Sequence, residues 1–250
     1  MNAGEPEPPA VTVVNEAGAS PLVLLCEHAS NFIPARYAGL GLPPAELERH
    51  IAWDIGAAPL ARALSAALDA PLFLSGYSRL LIDCNRPPGA PTSIPTLSEA
   101  TAIPGNRDLS AEERAWREAA YFAPLRDAVS AHLDARQAAK RRSFVLGVHS
   151  FTPVFLGAAR PWQAGILYAG ALEFARKLIA GLRTQPDLCV GDNEPYRIEP
   201  EHDHTVPVHG DGRGLPAVLL EVRQDLIATE AGVREWTDRL VPVLAEAVQA

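Results

Sequence analysis

The feature that most constrains the fold is a continuous apolar run from Leu22 to Cys26, which stops abruptly at Glu27 and His28. An uninterrupted apolar run of this length is typical of a strand buried on both faces, as in a parallel sheet covered by helices. In open α/β sheets, ligands bind just beyond the carboxyl ends of the strands. The run therefore predicts an α/β fold with His28 at the ligand-binding edge of its sheet.

Three further apolar runs along the chain end in polar side chains. They cover residues 79–83, 143–148 and 216–223. In a right-handed βαβ arrangement, parallel strands deliver such ends to one edge of the sheet. The sequence therefore predicts that polar groups from four strand ends share one site. They are Glu27, His28, Asp83, Asn85, Arg86, His149, Ser150, Glu221 and Arg223.

Apolar spacing between these strands indicates helices and two short additional strands, at 71–74 and 164–168. The first helix should be interrupted near Gly56 and Pro59, because both residue types disfavour a helix interior. The predicted helices cover residues 45–68, 110–139, 171–182 and 229–248.

Segments rich in proline and glycine predict loops. Residues 87–108 have this composition, and a loop this long is usually functional or mobile. Residues 186–216 are expected to form loops and short edge strands. Residues 1–20, which begin with an acidic, proline-rich stretch, are expected to form a flexible tail. Residues 21–250 are then expected to form a single domain.

Composition narrows the classes of function. A formal net charge of −8 argues against sequence-independent binding of nucleic acid, which needs a cationic surface. No apolar run approaches the length that spans a bilayer, so no membrane partner is expected. Cys26, Cys84 and Cys189 are few and odd in number, as in a reducing compartment, and the expected location is the cytoplasm.

The histidines at two of the strand ends suggest a metal. His28 and His149, with one or two carboxylates, form the donor set of a catalytic zinc, which takes three protein ligands and leaves a position for water. A single histidine after a strand is more often a packed or loop residue. The matching positions of the two imidazoles, and Glu221 at a third strand end, make the metal interpretation as strong as that of packed residues.

Other motifs leave two interpretations open. His202 and His204 flank one acid in a polar loop, where a solvated surface competes with a metal site. Asn85 and Arg86 precede two prolines and could cap a loop, although arginine suits bidentate recognition of a carboxylate. Ser30 lacks the G-x-S-x-G context of a serine nucleophile, and no glycine-rich phosphate loop opens a helix.

Taken together, five segments resemble the N-formylglutamate amidohydrolase family. The resemblance implies a three-layer α/β/α fold with a central, mostly parallel mixed sheet, of the phosphorylase/hydrolase-like class found in zinc carboxypeptidases and aspartoacylases. It also implies hydrolysis of N-formyl-L-glutamate to formate and L-glutamate, the last step of one histidine-degradation route. The segments are residues 26–34, 53–57, 78–87, 147–151 and 213–226.

The resemblance further implies one bound divalent metal, zinc, with His28 and His149 as its imidazole ligands. Asn31 stands where zinc carboxypeptidases carry the glutamate of H-x-x-E, but a neutral amide is a poorer zinc ligand than a carboxylate. Asp54 is therefore expected to be the third ligand.

The remaining roles also follow from the resemblance. Glu221 is expected to be the general base, and Asn85 with Arg86 to bind the carboxylate of a small acidic substrate. The alternatives are an amidase acting on a peptide or peptidoglycan fragment, and a non-catalytic binding protein on the same scaffold. Further substrate-binding candidates are Arg79, Arg223 and His209.

Overall fold

The centre of the molecule is a seven-stranded mixed sheet, seen in a computed structural model that describes residues 7–249. In chain order the strands are β1 (Val11–Val14), β2 (Leu22–Cys26), β3 (Leu72–Ser75), β4 (Leu97–Ser98), β5 (Thr101–Ala102), β6 (Phe144–Phe151), β7 (Val154–Phe155), β8 (Ala158–Ala159), β9 (Ala164–Leu167), β10 (Val190–Asp192) and β11 (Ala217–Arg223). The order of strands across the sheet is β1-β3-β2-β6-β11-β9-β10, and β4–β5 and β7–β8 form separate short hairpins.

Parallel pairing joins β3, β2, β6 and β11, and it also joins β9 to β10. β1 pairs antiparallel with β3, and β9 pairs antiparallel with β11. A π-helical segment joins α3 to α4, and a second one covers Thr205–Gly210. The α-helices are α1 (Pro44–Leu47), α2 (Ala57–Leu68), α3 (Ala111–Arg117), α4 (Ala123–Ala138), α5 (Leu172–Arg183) and α6 (Glu230–Ala247).

Helices cover both faces of the sheet because alternate strand residues point to opposite sides. Leu24 of β2 packs into a core with α2, α5 and α6, whereas Val23 and Leu25 pack into a second core with α4. The fold is therefore the three-layer α/β/α arrangement that was expected. No helix among residues 7–249 is both long and apolar enough to cross a membrane.

The interruption expected in the helix over residues 45–68 is present: α1 and α2 are separated by turns, although Pro59 lies within the first turn of α2. Gly56 marks the break, since its φ is +81° and a Cβ there would lie 2.3 Å from the backbone oxygen of Ile227. Only glycine fits both the left-handed conformation and the close approach. The break leaves Asp54 in a turn ahead of α2, where its backbone N–H donates to the carbonyl of His28 at 2.9 Å.

The prediction of a strand at residues 79–83 is wrong, because this segment forms turns. The hydroxyl of Ser78 donates to the carbonyl of Ala52 at 2.8 Å and accepts from the N–H of Leu80 at 3.2 Å, which bends the backbone into turns. Leu80, Leu81 and Ile82 are apolar because they are buried in the second core. The run of apolar residues therefore reflects burial of their side chains and does not indicate a strand.

The flexible tail expected over residues 1–20 includes an ordered edge strand. β1 lies within it and pairs with β3, with Val11 opposite Ser75. The start of the tail, residues 1–6, lies outside the described residues.

Candidate metal centre

Three adjacent strands of the sheet bring together Glu27, His28, His149 and Glu221, which were predicted to share a site. β2, β6 and β11 are parallel neighbours, and the register places Glu221 of β11 directly opposite His149 of β6. His28 lies two residues beyond the end of β2. The carboxyl ends of these strands therefore meet, as the topology of parallel strands requires.

Two imidazoles converge on one carboxylate oxygen at this edge. Oδ2 of Asp54 lies 3.2 Å from Nδ1 of His28 and 2.8 Å from Nδ1 of His149. All three side chains are buried, and one ligand atom from each lies within 4.8 Å of the others. His28, Asp54 and His149 could therefore hold one metal ion.

Each imidazole has a second carboxylate on its far nitrogen. Nε2 of His28 lies 2.7 Å from Oδ1 of Asp83, and Nε2 of His149 lies 3.2 Å from Oε2 of Glu27. Histidines that bind metals commonly donate their other ring N–H to a carboxylate, which fixes the tautomer and the ring orientation. The sequence placed both acids at strand ends, but nothing in it signalled this pairing.

The charges of the cluster fit a divalent cation. Burial alone would lower the pKa of His28 and of His149, but the surrounding carboxylates outweigh it and raise both values. Burial likewise would raise the pKa of Asp54, and the charges of the two imidazoles hold it below its usual range. The raised pKa values of both histidines show that the surrounding carboxylates favour positive charge on this cluster. A divalent ion bound by neutral imidazoles would supply the same charge.

Glu221 is a buried carboxyl group beside this cluster. Its Oε2 atom has no hydrogen-bond partner within the described part of the chain. Burial raises the pKa of Glu221 to about 7; the charge of His149 opposes this rise and that of Asp54 adds to it. A carboxyl group with this pKa can both accept and return a proton near neutral pH.

The cluster opens into a cavity of about 550 Å³. Arg79 lies in its wall, where Nε and Nη2 donate to Oδ2 of Asp83 at 3.0 and 2.6 Å. The loop 87–108 forms another part of the wall, and Glu99 in it pairs with Arg49 at 2.7 Å. This part of the loop is thus tied to the body of the protein.

Asn85 and Arg86 also line the cavity, and both contact the segment that follows β10. Oδ1 of Asn85 accepts from the backbone N–H of Thr205 at 2.9 Å. Nη1 of Arg86 donates to Oδ1 of Asp203 at 2.6 Å and to the carbonyl of His202 at 2.8 Å. The two residues hold residues 202–205 against the cavity.

Three candidates from the sequence lie away from the cavity. Arg223 forms an ion pair with Asp225 at 2.8 Å and is not among the lining residues. His209 is buried against His204, with ring centroids 5.4 Å apart, and burial lowers the pKa of His209 to about 4. Asn31 donates its amide to the carbonyl of Leu47 at 3.0 Å, so Asp54 and not Asn31 lies between the imidazoles.

A model of the N-formylglutamate amidohydrolase family matches residues 20–228 of the chain. The chain belongs to the N-formylglutamate amidohydrolase family. The match confirms the resemblance found in the sequence and supports the function of a hydrolase that acts on an amide bond. A comparison with curated proteins found no match.

Two solved structures show the same fold as this family member. The gene product Atu2144 from Agrobacterium tumefaciens is 41% identical with a TM-score of 0.93, and the match covers 97% of this chain and 96% of that one. An N-formylglutamate amidohydrolase from Ralstonia eutropha JMP134 is 18% identical with a TM-score of 0.68, over 95% of this chain and 96% of that one. The second likeness is one of fold alone.

Proposed function

We propose that the protein hydrolyses the amide bond of N-formyl-L-glutamate, releasing formate and L-glutamate, with one divalent metal, zinc, as cofactor. The observation that carries this proposal is the convergence of His28, Asp54 and His149 beside the unpartnered carboxyl group of Glu221, in a cavity that arginines also line. Membership of the family supports the reaction type. The reaction would place the protein in histidine degradation, in the cytoplasm.

His28, Asp54 and His149 would hold the metal. A divalent metal held there would act as a Lewis acid: it would polarise the formyl carbonyl group and make a water molecule more acidic. Asp83 and Glu27 keep the two imidazoles oriented through their far nitrogens. The hydroxyl of Thr205 donates to Glu27 and fixes that carboxylate in turn.

Glu221 would move the proton. It accepts a proton from the water that attacks the formyl carbon, and then returns it to the nitrogen of the departing L-glutamate. Its free Oε2 atom and its pKa of about 7 suit both steps near neutral pH.

Arg86 would bind one substrate carboxylate. Within residues 7–249 its hydrogen bonds to the protein all use Nη1, so Nη2 and Nε remain to contact a substrate. Arg79 faces the same cavity but is committed to Asp83, and its role is to orient that acid.

The test is release of formate from N-formyl-L-glutamate by the metal-loaded protein, measured beside N-acetyl-L-glutamate and a peptide amide. We expect turnover of the formyl compound, and a loss of at least about 100-fold in E221Q with unchanged metal content. Absence of turnover of every formyl substrate would contradict the proposal. Preference for the peptide amide would favour the alternative of a peptide or peptidoglycan amidase.

A further inference from the structure

Within residues 7–249, one arginine of the cavity wall has no partner. Arg79 and Arg86 pair with Asp83 and Asp203. Arg197 lines the same cavity, but its exposed guanidinium forms no hydrogen bond or ion pair with any residue between 7 and 249. Its positive charge is therefore free to bind an anion that enters the cavity.

The backbone around Arg197 is held in place on both sides. On one side, the hydroxyl of Tyr196 accepts from Nη1 of Arg160 at 2.8 Å, and the N–H of Asn193 donates to the carbonyl of Ile166 at 3.0 Å. On the other side, Asp203 is fixed by Arg86. The fold thus positions this residue at the cavity while leaving its side chain uncommitted.

Six acids line the cavity, and five of them do not compete strongly for this charge; Asp54 is one of the five, because it contacts both imidazoles, and the sixth, Glu221, is buried. Asp83 and Asp203 are bound to arginines, and Glu99 contacts both Arg49 and His50. Glu199 is exposed and lies 3.8 Å from His202, so solvent screens it.

We propose that Arg197 binds a second carboxylate of the substrate and is the residue by which the enzyme distinguishes N-formyl-L-glutamate from N-formyl derivatives with a neutral side chain. This inference rests on the proposed function, in which Arg86 takes the first carboxylate. The guanidinium group is suited to carboxylates because its N–H groups match the two oxygens in a planar, bidentate arrangement.

The experiment compares N-formyl-L-glutamate with N-formyl-L-glutamine, which has the same shape but a neutral side chain. Both are assayed with the full metal-loaded chain, as wild type, R197M, R197K and R234M. Arg234 is the matched control because it is an exposed arginine on α6, outside the cavity. Inhibition by L-glutamate and by L-glutamine measures binding without turnover.

We expect R197M to raise KM for N-formyl-L-glutamate about tenfold, since a partly exposed charged hydrogen bond is lost. KM for N-formyl-L-glutamine and kcat for both compounds should stay unchanged. R197K should recover part of the loss, R234M should match wild type, and inhibition by L-glutamate alone should weaken in R197M.

Turnover without preference for the glutamate derivative, or an equal rise of both KM values in R197M, would overturn this inference and leave the proposed function standing. Failure of the wild type to hydrolyse N-formyl-L-glutamate would overturn the proposed function, and this inference with it. The two failures are therefore distinct.

Discussion

Nε2 of His28 lies 2.7 Å from Oδ1 of Asp83, although the residues are 55 positions apart in the chain. The contact links the end of β2 to the turns formed by residues 78–83. Arg79 holds the other oxygen of the same carboxylate. Asp83 therefore orients the imidazole while an arginine orients Asp83.

The first prediction concerns Asp83→Asn. The amide keeps the shape of the side chain but loses the charge that holds a proton on Nε2 of His28, and with it the tautomer that leaves Nδ1 free for a metal. We expect metal affinity to fall about 10- to 100-fold. Competition with a chelator measures the metal affinity. Asp225→Asn is the matched control, because Asp225 also pairs with an arginine but lies outside the cavity. Equal affinity in both variants would contradict the role of Asp83.

The second prediction concerns His28→Ala. This change removes one of three buried donors, so we expect most of the bound metal to be lost. Elemental analysis of protein prepared without chelator measures the metal content. His202→Ala serves as the control, because His202 lies at the cavity but is exposed and outside the donor cluster. Equal metal in the His28→Ala variant and the wild type would remove His28 as a ligand.

The third prediction concerns the pH dependence of activity. Glu221 must be ionised to accept a proton, so kcat/KM should rise with pH through its pKa, which burial raises to about 7 in the metal-free protein. A bound cation lowers the pKa of a nearby carboxyl group. The acidic limb of the profile of kcat/KM against pH should therefore lie at or below about pH 7. The limb should be absent from the residual activity of E221Q. An identical limb in E221Q would assign it to another group.

The fourth prediction concerns the stability of the metal-free protein. The pKa of Glu221 is higher in the folded protein than its ordinary value of 4.5, so the folded state retains a proton that the unfolded state releases. The free energy of unfolding of the metal-free protein therefore falls as pH rises from about 4.5 to about 7. E221Q removes this loss and should be more stable than wild type at pH 8 by roughly 2–3 kcal/mol. Denaturant unfolding at pH 4 and pH 8 measures the difference, which should vanish at pH 4.

Several parts of the site were predictable because they depend on local pattern. The apolar runs that became β2, β6 and β11 are buried strands, and such strands in a covered parallel sheet must end at one edge. His28, His149 and Glu221 follow from that rule. The break near Gly56 was predictable too, because glycine disfavours a helix interior.

Other parts were not predictable, because a pattern of burial does not identify the partner of a side chain. Arg223 follows Glu221 by two residues on the same strand, yet it pairs with Asp225 in the next turn. His209 resembles a site residue in the sequence but is packed against His204. Arg197 stood in a polar loop without any motif, and only its place in the cavity wall distinguishes it.

The sequence by itself determined the family, the layered α/β fold and the two histidines, since these depend on periodicity and on the order of motifs along the chain. The tertiary structure alone decided the partners of those histidines. The sequence favours Asp54 over Asn31 as the third ligand, but only the structure shows Asp54 between the imidazoles and Asn31 bound to the carbonyl of Leu47. The structure also placed Asp83 behind His28. Contacts between residues tens of positions apart arise from how the layers pack, and no local pattern encodes them.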